Sequence, residues 1–377
     1  MVGWQRADSD QTMRAALPPQ IVDLRNVCLN GFASLFSTFF DFSRDKQYFL
    51  TLVEAAQVQR SLEALCCKKE KQLSADRLFF FLNQLSVGEM FEYTSRALQQ
   101  CQSLWKKNGK TFSRWGHLVA IDQTNIEYFG EPDEYVHRYV KRVGRVHKHI
   151  LVRRYATLSI IAPRFKLCLA ILPVKNGMRL GEVVDRLLEG AKGVRIRCIV
   201  MDKEFYNVDV LDRIEARGLH YLVPIVHKDS INLLYWLCEA TGVWKWRYMM
   251  GVATRKRKQV TGYFHEYTLG DYGGFITNRE LKTDTAGRLL GLYAQRWNIE
   301  NGFKEAEDYK IKTTSRNHAY RLLLYVIGHL IVNIQNIVRD TRFRVRYYEM
   351  QDILQLVLDP TTRRGEHEIT RRLTIRL

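Results

Sequence analysis

The spacing of apolar residues along the chain changes from helical to strand-like at about residue 113. Before that point, apolar residues recur at the spacing of one helical face. One such set is Phe49, Leu52, Val53 and Ala56. Ser86 and Glu89 stand three positions apart before an apolar run, which predicts a capping box at a helix start. We therefore predict a helical N-terminal domain over residues 1–112, for which a small DNA-binding bundle and a plain packing domain are equally good interpretations.

From residue 113 onward, short apolar runs alternate with segments of helical spacing. The predicted strands are His117–Ile121, Ala156–Ala162, Phe165–Val174, Val194–Met201 and Leu219–Val226. Predicted helices over Glu182–Ala191 and Asn207–Arg217 separate the later strands. Three strands followed by alternating helices and strands predict a mixed α/β sheet with helices on its faces, and we assign residues 113–340 to this domain.

A change of texture at about residues 227–272 predicts a β-rich insertion in that domain. The segment contains Trp236, Trp244 and Trp246 and a basic run, and its later part has a strand-like pattern. The sheet is predicted to resume at Gly274. A helix is then predicted to begin at Thr285 and to carry Tyr293 through Lys304.

The most apolar stretch of the chain is Leu322–Val338. Polar positions such as His329 and Asn333 interrupt it, which predicts a buried helix and no membrane span. Residues 341–377 form a basic C-terminal tail. The first twenty residues are mixed and polar and do not resemble a secretory signal. Seven cysteines without a CxxC pair indicate reduced thiols, so we expect a cytoplasmic protein.

Charge makes nucleic acid the expected partner. Lys and Arg number 58 against 40 Asp and Glu, which gives a formal net charge of +18. Nine basic residues lie within 17 positions: Arg138, Lys141, Arg142, Arg145, His147, Lys148, His149, Arg153 and Arg154. Such a cluster repels itself unless a polyanion is near, and an anionic membrane surface is the main competitor of nucleic acid. We interpret His147 and His149 as solvated or phosphate-facing residues of a basic loop.

Three carboxylates are the candidate catalytic groups. Asp122 and Asp202 each follow an apolar strand, and neighbouring strand ends are where open α/β sheets build sites. Either Asp taken alone is more simply a strand terminator. On the later helix, Tyr293, Arg296 and Glu300 lie within about 60° of one another. Lys304 returns to within about 20° of Tyr293, and a solvated ion-pair face is the alternative interpretation.

The order of these motifs resembles a known family. Ile-Asp-Gln-Thr at Asp122, Met-Asp-Lys-Glu-Phe-Tyr at Asp202 and Tyr-x-x-Arg-Trp-x-Ile-Glu ending at Glu300 are similar to motifs of the DDE transposases of prokaryotic insertion sequences. The similar subgroup carries a Tyr-Arg-Glu-Lys signature, and the resemblance spans about residues 113–340. It implies a ribonuclease-H-like fold in which Asp122, Asp202 and Glu300 bind two Mg²⁺ or Mn²⁺ ions. Tyr293 and Arg296 would then contact phosphates near the transposon end.

One position departs from the signature. The family's Lys falls seven residues after the Glu, where this chain has Glu307, and Lys304 is the proposed substitute on the same helical face.

The resemblance also implies a mechanism. It is cut-and-paste transposition by a homodimer on double-stranded DNA, with a hairpin and a flipped base at the element end. Trp244, Trp246 and Trp297 are candidates to stack such a base. Packing beneath the helix is the preferred interpretation for Trp297, and the two interpretations are even for the other tryptophans.

Two other functions stay open on sequence grounds. A ribonuclease-H-like, structure-specific nuclease would use the same triad but would only hydrolyse DNA. A non-catalytic DNA-binding protein derived from a transposase is the alternative from a different class, and Glu307 in place of the Lys favours it.

Overall fold

The computed structural model describes residues 51–66, 75–108, 113, 115–143, 146–163, 165–226, 229–251, 256–268, 271–280 and 286–340. Most of the first half of the predicted N-terminal domain, Arg145 of the basic cluster, Thr285 and the tail from 341 lie outside these ranges.

The described helices are α1 (51–57), α2 (Leu62–Cys66), α3 (Ala75–Asn83), α4 (Val87–Asn108), α5 (Leu180–Gly190), α6 (Val208–Ala216), α7 (Asp229–Thr241), α8 (Ala286–Ala294), α9 (Trp297–Glu307) and α10 (His318–Asp340). The strands are β1 (His117–Tyr128), β2 (Val136–Val143), β3 (Val146–Ala162), β4 (Phe165–Pro173), β5 (Ile196–Met201), β6 (His220–Pro224), β7 (Lys245–Met250), β8 (Lys258–Thr268) and β9 (Asp271–Ile276).

Within the described residues the strands form one mixed sheet in the order β2-β3-β1-β5-β6-β9-β8-β7, with β4 also paired to β3. β1, β5 and β6 are parallel, and the other pairs are antiparallel. Alternating side chains fill two cores. One face of β1 contributes Val119 and Ile121 to the larger core, and the other face contributes Leu118 and Ala120 to a core covered by α8 and α9. The prediction of a mixed α/β sheet flanked by helices is confirmed.

The N-terminal helices pack directly on this sheet. α4 lies against α10 and β4, where the indole nitrogen of the fully buried Trp105 donates to Asp340 at 3.0 Å. The predicted capping box is confirmed, because the Ser86 amide donates to Glu89 Oε2 at 2.8 Å and the Glu89 amide donates to Ser86 Oγ. A DNA-binding role for residues 1–112 stays a prediction.

Helix α10 is the core helix that the sequence predicts. It is long and apolar enough to cross a membrane, but 89% of its most apolar window is buried inside the protein. Its polar residues are used internally: the Asn333 side chain accepts from the amide of Cys168 and donates to its carbonyl, each at 2.8 Å.

Two strand predictions were wrong. β1 does not end at Asp122 but continues to Tyr128, because it stays paired to β3 as far as Leu151. The basic segment that contains His147 and His149 is a β2–β3 hairpin, not a loop. In both places the strand leaves the core, so the apolar alternation that identifies a strand is lost while the backbone pairing continues.

The segment at 227–272 is also more regular than predicted. It contains helix α7, which the sequence analysis missed. β7 pairs with β8 and β8 pairs with β9, so these strands extend the main sheet.

Candidate active site

The parallel pairing of β1 and β5 places the two aspartates side by side. Ile121 on β1 is the register partner of Met201 on β5, and Asp122 and Asp202 directly follow these two residues. Alternation puts Asp122 on the face of Ala120, which α8 and α9 cover. β5 ends here, and Asp202 caps a short 3₁₀ turn by accepting from the amide of Lys203.

The helix that carries the third carboxylate is interrupted. α8 ends at Ala294 and α9 begins at Trp297, so the prediction of one continuous helix was wrong. At the junction, the amide of Arg296 donates to the carbonyl of Tyr293 at 2.8 Å. This bond spans three residues, as in a 3₁₀ turn, whereas an α-helical bond spans four. The junction fixes Arg296 at the point where the two helices meet over the strand ends.

Arg296 joins two of the three carboxylates. Its Nη1 donates to Asp122 Oδ2 at 3.0 Å, and its Nη2 donates to Glu300 Oε1 at 2.5 Å. The Arg296 and Asp122 side chains are each 14% exposed. The guanidinium also lies 5.6 Å from the centre of the Tyr293 ring, which packs on Phe275. The structure thus brings Tyr293, Arg296 and Glu300 together with Asp122.

The pKa values of Asp122, Tyr293 and Arg296 are all shifted upwards. The pKa of Asp122 is raised from 3.8 to about 6, chiefly by burial; the Gln123 amide and Arg296 oppose this shift, and the charges of Asp202 and Glu300 add to it. Burial opposes the charge of Arg296, but Tyr293 and the three carboxylates still raise its pKa. The pKa of Tyr293 is raised by burial. The carboxylates therefore need a cation, and Arg296 supplies one.

The donor set fits a hard divalent cation. Three carboxylates that repel one another are stabilised by a dication, and Mg²⁺ and Mn²⁺ prefer carboxylate oxygen. Across the described ranges, no group of three His, Cys, Asp or Glu side chains is arranged to hold a metal ion. The guanidinium of Arg296 lies between Asp122 and Glu300.

Comparison with known proteins places this geometry in a family. The sequence model of the transposase DDE domain matches residues 117–332, which is more than half of the chain. The chain belongs to the DDE transposase family. No curated protein matches the sequence. A similar solved structure is the cryo-EM structure of a piggyBac transposase synaptic complex with hairpin DNA. It has a TM-score of 0.52 and 11% sequence identity, and the match covers 95% of this chain and 73% of the other. At that identity the likeness shows the fold alone, which agrees with the predicted ribonuclease-H-like architecture.

Lys304 lies beside Trp297. Its amino group lies 5.6 Å from the centre of the Trp297 ring, and it lines a polar cleft with Asn301 and Glu305. Lys304 follows Glu300 by four residues within α9, so the two share a face of that helix, and the role of Lys304 as a substitute for the signature Lys stays a prediction. The predicted angle between Lys304 and Tyr293 assumed one continuous helix, which the interruption before Trp297 does not give.

The tryptophans have different surroundings. Trp297 is 57% exposed, so the preferred interpretation, packing beneath the helix, was wrong. Trp244 and Trp246 are partly buried against the larger core, and the indole nitrogen of Trp246 donates to the carbonyl of Val243 at 2.7 Å. Of the three, Trp297 presents the most accessible ring in the described structure to a base.

Sequence analysis missed the residues that fix α9 over the sheet. The Asn298 side chain donates to the carbonyl of Ala162 at 3.4 Å, and Lys166 forms an ion pair with Glu305 at 2.8 Å. Asn298 stands inside the Arg-Trp-Asn-Ile-Glu motif, so its position gave a signal. Lys166 gave none, because the pair joins residues that are far apart in the sequence.

Proposed function

We propose that this DDE transposase cleaves and joins DNA in an active site formed by Asp122, Asp202 and Glu300. It would be a cut-and-paste enzyme of a prokaryotic insertion sequence and would belong to the Tyr-Arg-Glu-Lys subgroup. The observation that carries the proposal is the convergence of carboxylates from β1, β5 and α9 around one guanidinium. Arg296 forms ion pairs with Asp122 and Glu300 and is also affected by the charge of Asp202, and metal-dependent phosphoryl transfer uses such a cluster of acids.

Asp122, Asp202 and Glu300 would hold two Mg²⁺ or Mn²⁺ ions. When bound, such ions activate the attacking oxygen and stabilise the leaving oxygen of an in-line displacement. The chain's own groups do the positioning. Arg296 would leave the carboxylates and turn its guanidinium to a DNA phosphate, because its planar donors suit phosphate as well as carboxylate.

The remaining contacts lie around the same face. Tyr293 would bind a phosphate beside Arg296. Lys304 and Trp297 form an exposed cation-aromatic pair that could hold a phosphate and an unpaired base. Trp244 and Trp246 are second choices for the base because their rings are partly buried. Double-stranded element ends and target DNA are the proposed partners, with a homodimer as the working unit in the cytoplasm of a prokaryotic cell.

A non-catalytic DNA-binding protein is the second candidate. The observation that favours it is the filling of the site by Arg296, which satisfies Asp122 and Glu300 without a metal. The structure-specific nuclease shares the site, so only the reaction products separate it from a transposase.

The test is a cleavage and joining assay on a duplex that carries the DNA boundary of the element, with a target plasmid and Mg²⁺ or Mn²⁺. We expect nicking at the boundary, a free 3′-hydroxyl and joined products. Asp202→Asn and Glu300→Gln should each lower the cleavage rate by at least about 10³-fold. Glu204→Gln is the matched control, since Glu204 is exposed two residues from Asp202, and it should cleave normally.

Each contrary result selects an alternative. Cleavage without joining identifies a nuclease. Specific binding without cleavage in either metal identifies the non-catalytic protein. Unchanged cleavage by Asp202→Asn would refute the metal-ligand assignment.

A further inference from the structure

The β2–β3 hairpin extends beyond the rest of the sheet as a two-stranded ribbon. β1 pairs with β3 only as far as Tyr128 opposite Leu151, so residues 146–150 of β3 pair with β2 alone. Both faces of this part are open: residues 138–141 and 147–149 are all exposed, without the alternation of a half-buried strand. A ribbon of this kind contributes little to the core.

The charge of the ribbon is of one sign. Residues 137–149 contain five Lys or Arg and three His, and no Asp or Glu. Lys141 stands directly opposite Lys148, an arrangement that destabilises an antiparallel pair. Glu127 at the end of β1 offsets part of this repulsion through an ion pair with Lys141 at 2.5 Å. The rest of the repulsion is uncompensated within the ribbon, which indicates a polyanionic partner.

Basic groups lie on both faces of the ribbon. Register pairing puts Arg138, His147 and His149 on one face, and Lys141, Lys148 and Tyr139 on the other. The major groove of B-DNA admits a two-stranded β-ribbon, and its two walls are lines of phosphates. A ribbon that is basic on both faces can therefore contact both walls at once.

We infer that the described residues of the ribbon, 137–143 and 146–149, are a DNA-binding arm that inserts into the major groove of B-form DNA outside the catalytic site. The inference deepens the proposed function and rests on it for the identity of the DNA. Arg138 and Lys148 contact phosphates from opposite faces, and Tyr139 and Val140 supply exposed apolar surface to the groove.

Strand geometry gives the position of the contact. Asp122 is the register partner of Thr157 on β3, and the ribbon runs from Leu151 to beyond His147. At about 3.3 Å per residue these positions lie roughly 20 and 33 Å from Thr157. With about 3.4 Å per base pair, a duplex parallel to β3 meets the ribbon about 6–10 base pairs from the cleaved phosphate.

A second copy of the chain is a poorer occupant of this edge. Pairing of β2 with the β2 of a twofold-related copy, with the axis between 139 and 140, would set Arg138 of each copy opposite Lys141 of the other. Charges on an edge strand are a common protection against such pairing. The charge therefore favours DNA.

The test compares two variants with the same change of net charge. The ribbon variant is Arg138→Gln with Lys148→Gln. The control is Arg186→Gln with Lys192→Gln, at two exposed positions at and after the end of α5. Binding to a mixed-sequence duplex of about 30 base pairs is measured in EDTA between about 50 and 200 mM salt. Unchanged thermal midpoints show that both variants fold.

We expect the ribbon variant to bind about 10–100-fold more weakly and to reduce the salt slope by about two, with little change in the control. Hydroxyl-radical footprints on the element end should lose protection about 6–10 base pairs from the cut. Equal behaviour of the two variants would overturn the inference, as would conversion of a dimer to a monomer by the ribbon variant alone. Failure of the wild type to cleave DNA would refute the proposed function without affecting the comparison of salt slopes.

Discussion

Replacement of Asp122 by Asn should stabilise the metal-free transposase at neutral pH. The pKa of Asp122 is raised by burial to about 6 from its ordinary value of 3.8. The folded state therefore holds a proton more tightly than the unfolded chain, so ionisation of Asp122 destabilises the fold as the pH rises between these values. Asn keeps the shape and carries no charge, and its single oxygen can accept from Arg296 or from the Gln123 amide, but not from both.

The pKa shift sets the size and pH range of the effect. At about 1.36 kcal/mol per unit, ionisation of Asp122 costs about 3 kcal/mol above about pH 7, and about 1 kcal/mol at about pH 4.5. Asp122→Asn should raise the free energy of unfolding by about these amounts. Urea unfolding in EDTA at several pH values measures the difference between the two proteins, in which the titration of acids distant from Asp122 cancels.

Excess Mg²⁺ supplies the second half of the test. It should stabilise the wild type and reduce its deficit relative to Asp122→Asn, because the variant has lost one anionic ligand. Two results would refute the claim that ionisation of Asp122 destabilises the folded state. One is a variant that is no more stable than the wild type at about pH 8. The other is a stability difference that does not change with pH.

Three further predictions follow from contacts around the site. Arg296→Gln should destabilise the metal-free protein by about 2–4 kcal/mol in urea unfolding, because it leaves two half-buried carboxylates without a cation. Mg²⁺ should recover much of this loss of stability. A loss that the metal does not reduce would contradict the prediction. Gly328→Ala should destabilise by about 1–3 kcal/mol, since its Cβ would lie 2.7 Å from the carbonyl oxygen of Ala306 in α9. Gly302→Ala is the matched control, because it meets only Lys166 Cδ at 3.7 Å and should be neutral or stabilising; equal effects would refute the packing argument. Tyr206 and Tyr248 share a hydrogen bond of 2.6 Å that ties the segment after Asp202 to β7, and a double-mutant cycle to Phe should give a coupling of about 1 kcal/mol, whereas additive losses would show that the bond contributes nothing.

Local signals were reliable where one element determines the outcome. The Ser86–Glu89 capping box depends only on residues three positions apart. The last three residues before Asp202, Ile199–Met201, are buried and apolar, which marks the end of that strand in the sequence. The order of the motifs also led to Asp122, Asp202 and Glu300, of which Asp122 and Glu300 share one guanidinium in the structure; the catalytic role of the three stays a prediction.

The wrong predictions concern strand pairing and helix continuity, which depend on residues far apart in the sequence. β1 passes Asp122 because β3 pairs with it, and the β2–β3 ribbon has no apolar face to reveal its period. The interruption at Arg296 places Tyr293 on a different helix from Glu300 and Lys304, so an angle computed along one continuous helix does not apply. The bridge from Arg296 to Asp122 joins residues 174 positions apart, so no local pattern could predict it.

The most direct test of the central claim, that Asp202 is a metal ligand in DNA cleavage, is the metal dependence of Asp202→Cys. A thiolate is a poor ligand for Mg²⁺ and a better one for softer transition metals such as Mn²⁺. Single-turnover cleavage of the element end by this variant should be abolished in Mg²⁺ and should recover by at least about tenfold in Mn²⁺ relative to Asp202→Ala. Equal residual rates of the two variants in both metals, or normal cleavage in Mg²⁺, would contradict the claim.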